Sequence, residues 1–300
     1  MTVCVEPPAR LGETTLPGGR VLGWAEWGPA DGVPVLFSPG AATSRTLGFG
    51  ADVVEDLGVR LVSLDRPGLG VSTVDPGRGF ADFARDVGVL CAERGFGVPA
   101  MVGNSQGAPF ALACVTEGVA GPLALVSAAD EVAAPEFAEA LPDSLTSLVR
   151  QVAEDPASAE AFFAGFSAEA MRDHVLASSP EVDVAVYTAP AFDAAYRRAL
   201  AEAFQQGSAG YARDTVLAMG RWPMDLARIT TSVDVWYGEL DTSHSPDNGV
   251  TLTARIPGAV RHLVPDIGGA LLWTHAADIL RRLTGGGHQT GESRTSSALT

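Results

Sequence analysis

The chain has 300 residues, 46% of them hydrophobic, and a net charge of −16, so it is long enough to bury a large core and its surface repels phosphate backbones and anionic lipids. We therefore expect neither nucleic acid nor a membrane among its partners. All 20 basic residues are arginine, and a chain without lysine has neither a Schiff-base lysine nor the lysine of a P-loop.

The three cysteines, Cys4, Cys91 and Cys114, are widely spaced and form no C-x-x-C pair, so we expect no zinc site and no disulfide framework. The first ten residues lack the basic start and the apolar stretch of a secretory signal. No apolar run reaches the roughly 18–20 residues that a membrane helix needs. These features predict a cytoplasmic location.

Short apolar runs alternate with helical patterns in two parts of the chain. Residues 14–27 predict a hairpin with Pro17, Gly18 and Gly19 at its turn. Further strands are predicted at 33–37, 59–64, 100–102, 123–126, 233–237 and 260–264. Helices are predicted at 45–57, 80–94, 106–116, near 249–255 and near 275–283. Strands that alternate with helices form a mostly parallel sheet with helices on both faces, so we predict an α/β fold.

The alternation stops between residues 131 and 226, where the chain is rich in alanine, helical in pattern and carries many aromatic residues. We expect this segment to be a helical lid, inserted after the sixth core strand over the carboxyl ends of the strands. Its acidic residues are expected on a solvated outer face. The predicted core then comprises residues 1–130 and 227–284, and the Gly/Ser/Thr-rich tail 285–300 is predicted to be disordered.

The segment from Gly103 to Gly107 reads Gly-Asn-Ser-Gln-Gly and contains a G-x-S-x-G motif. The motif alone is weak, but a predicted strand precedes it and a predicted helix follows, with Pro109 in the first turn of that helix. A serine on such a turn has strained dihedral angles, and the flanking glycines leave space for the sharp bend. Ser105 is therefore the predicted nucleophile.

A second motif, Asp65-Arg66-Pro67-Gly68-Leu69-Gly70-Val71-Ser72, follows the fourth predicted strand and matches the pattern D-x-P-G-x-G-x-S. With both motifs the chain resembles the α/β-hydrolase family, especially its lid-bearing esterase, peptidase and lactonase-like members common in actinobacteria. The resemblance covers about residues 20–130 and 228–284. It implies the α/β-hydrolase fold, and it implies that the second motif holds a turn and does no chemistry.

In this family the backbone amide after the nucleophile and one amide from the loop after the third strand form the oxyanion hole. The first amide corresponds to Gln106. The loop usually begins with His-Gly, whereas this chain reads Ser38-Pro39-Gly40-Ala41, so Pro39 replaces the histidine. A backbone donor survives a change of side chain, and the resemblance therefore implies the Ala41 amide as the second donor.

The family's acid follows the seventh strand, which corresponds to Asp241, and some members place it after the sixth strand, which corresponds to Asp130. We expect a solvated carboxylate at Asp130. The family's histidine follows the eighth strand, but Gly269 occupies that position. His244, three residues after Asp241, is the preferred replacement, and His275 or no histidine at all remain as alternatives.

Together these residues imply a serine hydrolase of the acyl-transfer type that acts on an ester, thioester or lactone with an apolar acyl part. Ser105 would attack the carbonyl, His244 would accept its proton and Asp241 would orient that histidine. No metal and no organic cofactor is implied. Two alternatives stay open: a transacylase, and a ligand-binding or non-hydrolytic protein that lost the usual histidine.

Overall fold

A computed structural model describes residues 3–285, and the predicted disordered tail lies outside the described residues except for Gly285. The described part contains one eight-stranded sheet with the spatial order β1-β2-β4-β3-β5-β6-β7-β8. Only the pairs β1/β2 and β2/β4 are antiparallel. The strands are β1 (Arg10–Thr15), β2 (Val21–Trp27), β3 (Val33–Ser38), β4 (Val59–Leu64), β5 (Ala100–Asn104), β6 (Leu123–Val126), β7 (Val233–Gly238) and β8 (Val260–Val264).

The central strands are buried on both faces because consecutive side chains point to opposite sides of the sheet. In β3, Val35 and Phe37 belong to one hydrophobic cluster and Leu36 to the other. The cluster around Leu36 contains the apolar faces of α1 (Phe80–Arg94) and α2 (Ala108–Thr116). The cluster on the opposite face contains Leu271 and Leu280, which belong to helices that follow β8. The sheet is therefore covered on both faces.

Six helices lie between β6 and β7, and their apolar side chains join the cluster that contains Val35 and Phe37. Between β7 and Gly285, the last residue that the structure describes, there are three further α-helices. The helices between β6 and β7 are α3 (Asp143–Glu154), α4 (Pro156–Phe163), α5 (Ala168–Ser178), α6 (Glu181–Tyr187), α7 (Pro190–Ala203) and α8 (Ala209–Met219). Those after β7 are α9 (Val250–Ala254), α10 (Leu271–Thr274) and α11 (Ala276–Leu283).

The prediction of a helix at 45–57 is wrong, because this segment forms a series of turns. Gly50 has a φ of +65°, which a continuous α-helix does not contain. Gly48 packs against the indole of Trp27, where a Cβ would stand 2.7 Å from the ring. The apolar residues of the segment are buried by these tertiary contacts, so their spacing imitates a helical pattern.

The acidic residues between β6 and β7 are not all solvated, contrary to the prediction. Glu131, Asp183 and Asp214 are each fully buried. Asp214 is ion-paired with Arg66 and Arg78, and Glu131 is ion-paired with Arg221 and Arg255. Glu131 and Asp183 also accept hydrogen bonds from backbone amides. Buried carboxylates persist where such partners replace the lost water. No helix within residues 3–285 has both the length and the apolar character needed to span a bilayer.

Candidate active site

Ser105 stands at the end of β5, on the turn that leads into α2. Its φ of +49° lies in the left-handed region, which a residue other than glycine adopts at a cost of about 1–3 kcal/mol. The two flanking glycines are required by close backbone approaches. A Cβ on Gly103 would lie 2.8 Å from the Ala108 Cα, and one on Gly107 would lie 2.1 Å from the Ser38 carbonyl oxygen. The turn therefore presents the serine side chain outward from the end of the sheet.

The structure brings Ser105, His244 and Asp241 into one hydrogen-bonded line. The Nε2 atom of His244 lies 3.1 Å from the Ser105 Oγ, and its Nδ1 lies 2.9 Å from each carboxylate oxygen of Asp241. His244 and Asp241 share the loop between β7 and α9. That loop curls around the carboxylate, which also accepts the backbone amides of Ser243 (3.2 Å) and His244 (3.3 Å).

Charge and hydrogen bonding within this line shift the pKa values of Asp241 and His244 in opposite directions. Burial alone raises the pKa of Asp241, but the attraction of His244 and the hydrogen bonds from His244 and Ser243 outweigh it and lower the pKa. Burial alone lowers the pKa of His244, but the adjacent Asp241 carboxylate outweighs it and raises the pKa. The carboxylate thus stays ionised and strengthens the basicity of the imidazole.

Gly269 follows β8, at the position where the resemblance implies a histidine. A Cβ on Gly269 would stand 2.9 Å from the His244 Cε1 and 3.4 Å from its Nδ1. The imidazole of His244 therefore occupies the space beside Gly269. His275 donates to or accepts from the Thr274 hydroxyl at 2.9 Å and does not line the cavity around Ser105 in the described part of the chain.

The loop after β3 passes directly beside the nucleophile. A Cβ on Gly40 would stand 3.4 Å from the Ser105 Cβ, and Gly40, Ala41 and Gln106 all line the cavity around Ser105. The Gln106 amide belongs to the first turn of a helix, where backbone amides have no partner within the helix. Both residues that are predicted to supply amide donors therefore line the cavity that contains Ser105.

Arg66 orients this loop, a role that neither sequence motif indicated. Its guanidinium is fully buried and donates to the carbonyl oxygens of Pro39 and Gly40 (3.0 Å for the latter) and to Asp214 (2.6 Å). In a trans peptide the N–H points away from the C=O, so holding the Gly40 carbonyl turns the Ala41 N–H in the opposite direction. Arg66 is the residue after Asp65, which is a variable position of the D-x-P-G-x-G-x-S motif. The motif therefore predicts the turn but does not specify this side chain.

Asp130 is buried, so the expectation of a solvated carboxylate is wrong. It is only 2% exposed, and its carboxylate accepts hydrogen bonds from the Ser245 hydroxyl (2.9 Å) and the Glu131 amide (2.8 Å). The Asp130 amide donates to the His244 carbonyl oxygen (3.0 Å). Burial raises the pKa of Asp130 to about 6. Asp130 contacts the loop that carries His244, whereas the imidazole itself is bonded to Asp241.

A cavity of about 310 Å³ opens above Ser105, at the low end of the range for small-molecule sites. Helices α5–α8 and α10 contribute mainly apolar and aromatic side chains to its wall, together with the polar residues His174, Ser178 and Ser179. The wall contains Met171, Tyr187, Phe192, Tyr196, Tyr211, Met219 and Trp273. Within residues 3–285 no group of three or more His, Cys, Asp or Glu side chains is placed to hold a metal ion.

No protein-family model and no curated protein matches the sequence. Solved structures match over nearly the whole chain at low sequence identity. An esterase from Rhodococcus sp. ECU1013 is 19% identical, with a TM-score of 0.66 over 93% of this chain and 99% of that chain. A bromoperoxidase from Bacillus anthracis is 18% identical, with a TM-score of 0.66 over 92% and 98%. An enol-lactonase from Burkholderia xenovorans LB400 is 17% identical, with a TM-score of 0.65 over 91% and 98%.

These similarities, the strand order and the turn at Ser105 establish that the chain has the α/β-hydrolase fold. The fold predicted from the two sequence motifs is thereby confirmed. Structural similarity at sequence identities below 20% shows a shared architecture but not a shared reaction, because proteins of one fold can have many different functions. The chemistry has to be inferred from the site of this chain.

Proposed function

We propose that this protein is a serine hydrolase of the acyl-transfer type, acting on an ester, thioester or lactone with an apolar acyl part. The observation that carries the proposal is the hydrogen-bonded line from Ser105 through His244 to Asp241, with contacts of 3.1 Å and 2.9 Å. These distances lie within the reach of about 2.6–3.2 Å that proton transfer requires.

In this mechanism Ser105 Oγ attacks the substrate carbonyl while His244 Nε2 accepts its proton. Asp241 holds the imidazole with Nδ1 protonated and stabilises the positive charge that forms on the ring. The Ala41 and Gln106 amides stabilise the tetrahedral oxyanion. His244 then returns the proton to the leaving group, and a water molecule activated by the same imidazole releases the acyl group from Ser105.

The apolar cavity supports a small-molecule substrate with an apolar acyl chain. Each buried CH₂ group contributes about 0.8 kcal/mol to binding, so acyl chains longer than acetyl are expected to give a higher kcat/KM. A series of p-nitrophenyl esters from acetate to decanoate measures this preference. A maximum of kcat/KM at acetate would contradict the proposed apolar acyl site.

Labelling with a fluorophosphonate, which reacts with activated serines, tests the proposed nucleophile. The wild type is expected to label stoichiometrically, and Ser105→Ala is expected not to label. Ser179→Ala is the matched control because Ser179 also lines the cavity, and it should label like the wild type. Stoichiometric labelling of Ser105→Ala would refute the proposal, and labelling of the wild type without ester turnover would favour the ligand-binding alternative.

A further inference from the structure

Helix α6 contacts the loop after β8 through two side chains one turn apart, Asp183 and Tyr187. Asp183 is fully buried and accepts a hydrogen bond from the Gly268 amide at 3.0 Å. Residues four apart lie on the same face of a helix, so the face held by Asp183 also directs Tyr187 toward Gly269. The position of Tyr187 relative to the site is therefore fixed by a buried hydrogen bond.

The Tyr187 side chain is only 6% exposed and lines the cavity around Ser105. Its ring packs against Phe192 and Trp273, with ring centroids 5.5 Å and 6.0 Å apart. Burial first, and then the negative charge of Asp183, raise the pKa of Tyr187 far above its ordinary value. The hydroxyl therefore stays protonated at neutral pH and is available as a hydrogen-bond donor.

The Tyr187 hydroxyl lies on the His244 side of the cavity. It is 3.5 Å from the point where a Cβ of Gly269 would stand, and the same point is 2.9 Å from the His244 Cε1. No hydrogen bond between described side chains includes this hydroxyl, which borders the cavity and is not among the oxygen atoms enclosed in the protein interior without a partner. A substrate that fills the cavity displaces water from this hydroxyl, and a substrate oxygen that accepts its hydrogen bond avoids the cost of leaving the donor unpaired.

We propose that Tyr187 donates a hydrogen bond to the leaving-group oxygen of the substrate, and that the enzyme thereby favours alkyl esters and lactones. The inference rests on the proposed function of Ser105. The imidazole that accepts the serine proton must also deliver it to the leaving oxygen, and Tyr187 lines the same cavity on the side of that ring, so we place its hydroxyl within reach of the leaving oxygen.

The bond changes of the acylation step define what Tyr187 contributes. The Ser105 Oγ forms a bond to the carbonyl carbon, and the bond between that carbon and the leaving oxygen breaks. The serine proton passes through His244 Nε2 to the leaving oxygen, while the proton of Tyr187 stays on its own oxygen. An alkoxide is a strong base that needs stabilisation as it departs, whereas p-nitrophenoxide departs readily without it.

Tyr187→Phe tests the proposal with two hexanoate esters that differ only in leaving group, ethyl hexanoate and p-nitrophenyl hexanoate. Loss of one neutral hydrogen bond is expected to lower kcat/KM about 5- to 10-fold for the ethyl ester and less than about twofold for the nitrophenyl ester. Tyr196→Phe is the matched control, since it removes another tyrosine hydroxyl that lines the cavity. It should change both substrates by the same factor.

The quantity to compare is the ratio of the two kcat/KM values for one enzyme preparation, because a reduced folded fraction cancels from it. A ratio in Tyr187→Phe equal to that of the wild type would overturn the role of Tyr187 while leaving the proposed function intact. Failure of the proposed function has a different signature: the wild type hydrolyses neither ester, or Ser105→Ala hydrolyses both.

Discussion

The side chain that Gly269 lacks would overlap the imidazole of His244, since its Cβ would stand 2.9 Å from the Cε1 atom. Glycine at position 269 therefore leaves the space that the imidazole of His244, from the loop after β7, occupies. The same contact explains why a histidine cannot simply be added at position 269: its first carbon would displace the ring that already contacts Ser105.

Gly269→Ala is expected to lower kcat at least about 10-fold, because displacing a catalytic group by about 1 Å can cost up to 10²-fold. In the His244→Ala background the same substitution should change the residual activity less than about twofold, since the clash is gone. A double-mutant cycle of kcat/KM measures this dependence of one residue on the other. Equal losses in both backgrounds would show that Gly269 acts independently of His244.

Asp241→Asn is expected to lower kcat about 10⁴-fold, because an amide stabilises the wrong histidine tautomer, as in serine proteases. Asp130→Asn should cost less than about 10-fold, since the asparagine oxygen can still accept the Ser245 hydroxyl that Asp130 binds at 2.9 Å. Steady-state kinetics with one nitrophenyl ester compares the two variants. If both lose activity equally, the assignment of Asp241 as the acid is wrong.

Between elements, Arg66 connects the loop after β3 to helix α8. Its planar guanidinium binds two carbonyl oxygens of the loop and the Asp214 carboxylate at the same time. Arg78 also binds Asp214, but its guanidinium makes no hydrogen bond to that loop. The two arginines therefore share one ion-pair network, and only one of them contacts the predicted oxyanion loop.

Arg66→Lys is expected to lower kcat about 10-fold with little change in KM, because an ammonium cannot replace the fork that holds the Gly40 carbonyl. Arg78→Lys is the matched control: it should destabilise the fold to a similar extent and change kcat less than about twofold. Kinetics and thermal unfolding of both variants separate the two effects. If Arg66→Lys lowers only the melting temperature, Arg66 has a structural role alone.

For the whole molecule, buried carboxyl groups make stability depend on pH. Burial raises the pKa of Asp65 and of Asp130 to about 6, compared with 3.8 for an unperturbed aspartate. Between pH 3.8 and about pH 6, each of these buried carboxyl groups keeps its proton in the folded chain, whereas the same group in the unfolded chain has released it. The unfolded state therefore binds fewer protons, and the contribution of each group to the free energy of unfolding falls as the pH rises from about 4 to about 6.

Asp130→Asn removes one of these titrating groups, so the variant should gain stability relative to the wild type as the pH rises from 4.5 to 7.5. The change in the difference over this pH range is about 2 kcal/mol, because a shift of the pKa from 3.8 to about 6 contributes about 1.4 kcal/mol per pKa unit and part of that contribution is already lost at pH 4.5. Urea unfolding at both pH values measures it. Asp143→Asn, in the exposed first turn of α3, controls for the loss of one negative charge. A difference that stays constant with pH would refute the burial effect at Asp130.

The sequence by itself determined the features that depend on neighbouring residues. The strand at 59–64 and the helix at 80–94 were predicted with the bounds that the structure has, because their apolar periods match the regular elements they form. The turn at Ser105 was recognisable because the close approaches at Gly103 and Gly107 exclude any side chain. The G-x-S-x-G motif at 103–107 and the D-x-P-G-x-G-x-S motif at 65–72 each depend on a few consecutive residues, and together they indicated the fold.

The tertiary structure decided which side chains meet. The position of His244 three residues after Asp241 favoured it over His275, but the distance from His244 to Ser105 depends on β5 and β7 lying two places apart in the sheet. The burial of Asp130 and the contacts of Arg66 likewise join segments far apart in the chain. Such contacts leave no periodic signal in the sequence, because each arises where loops from non-adjacent segments converge at the carboxyl ends of the strands.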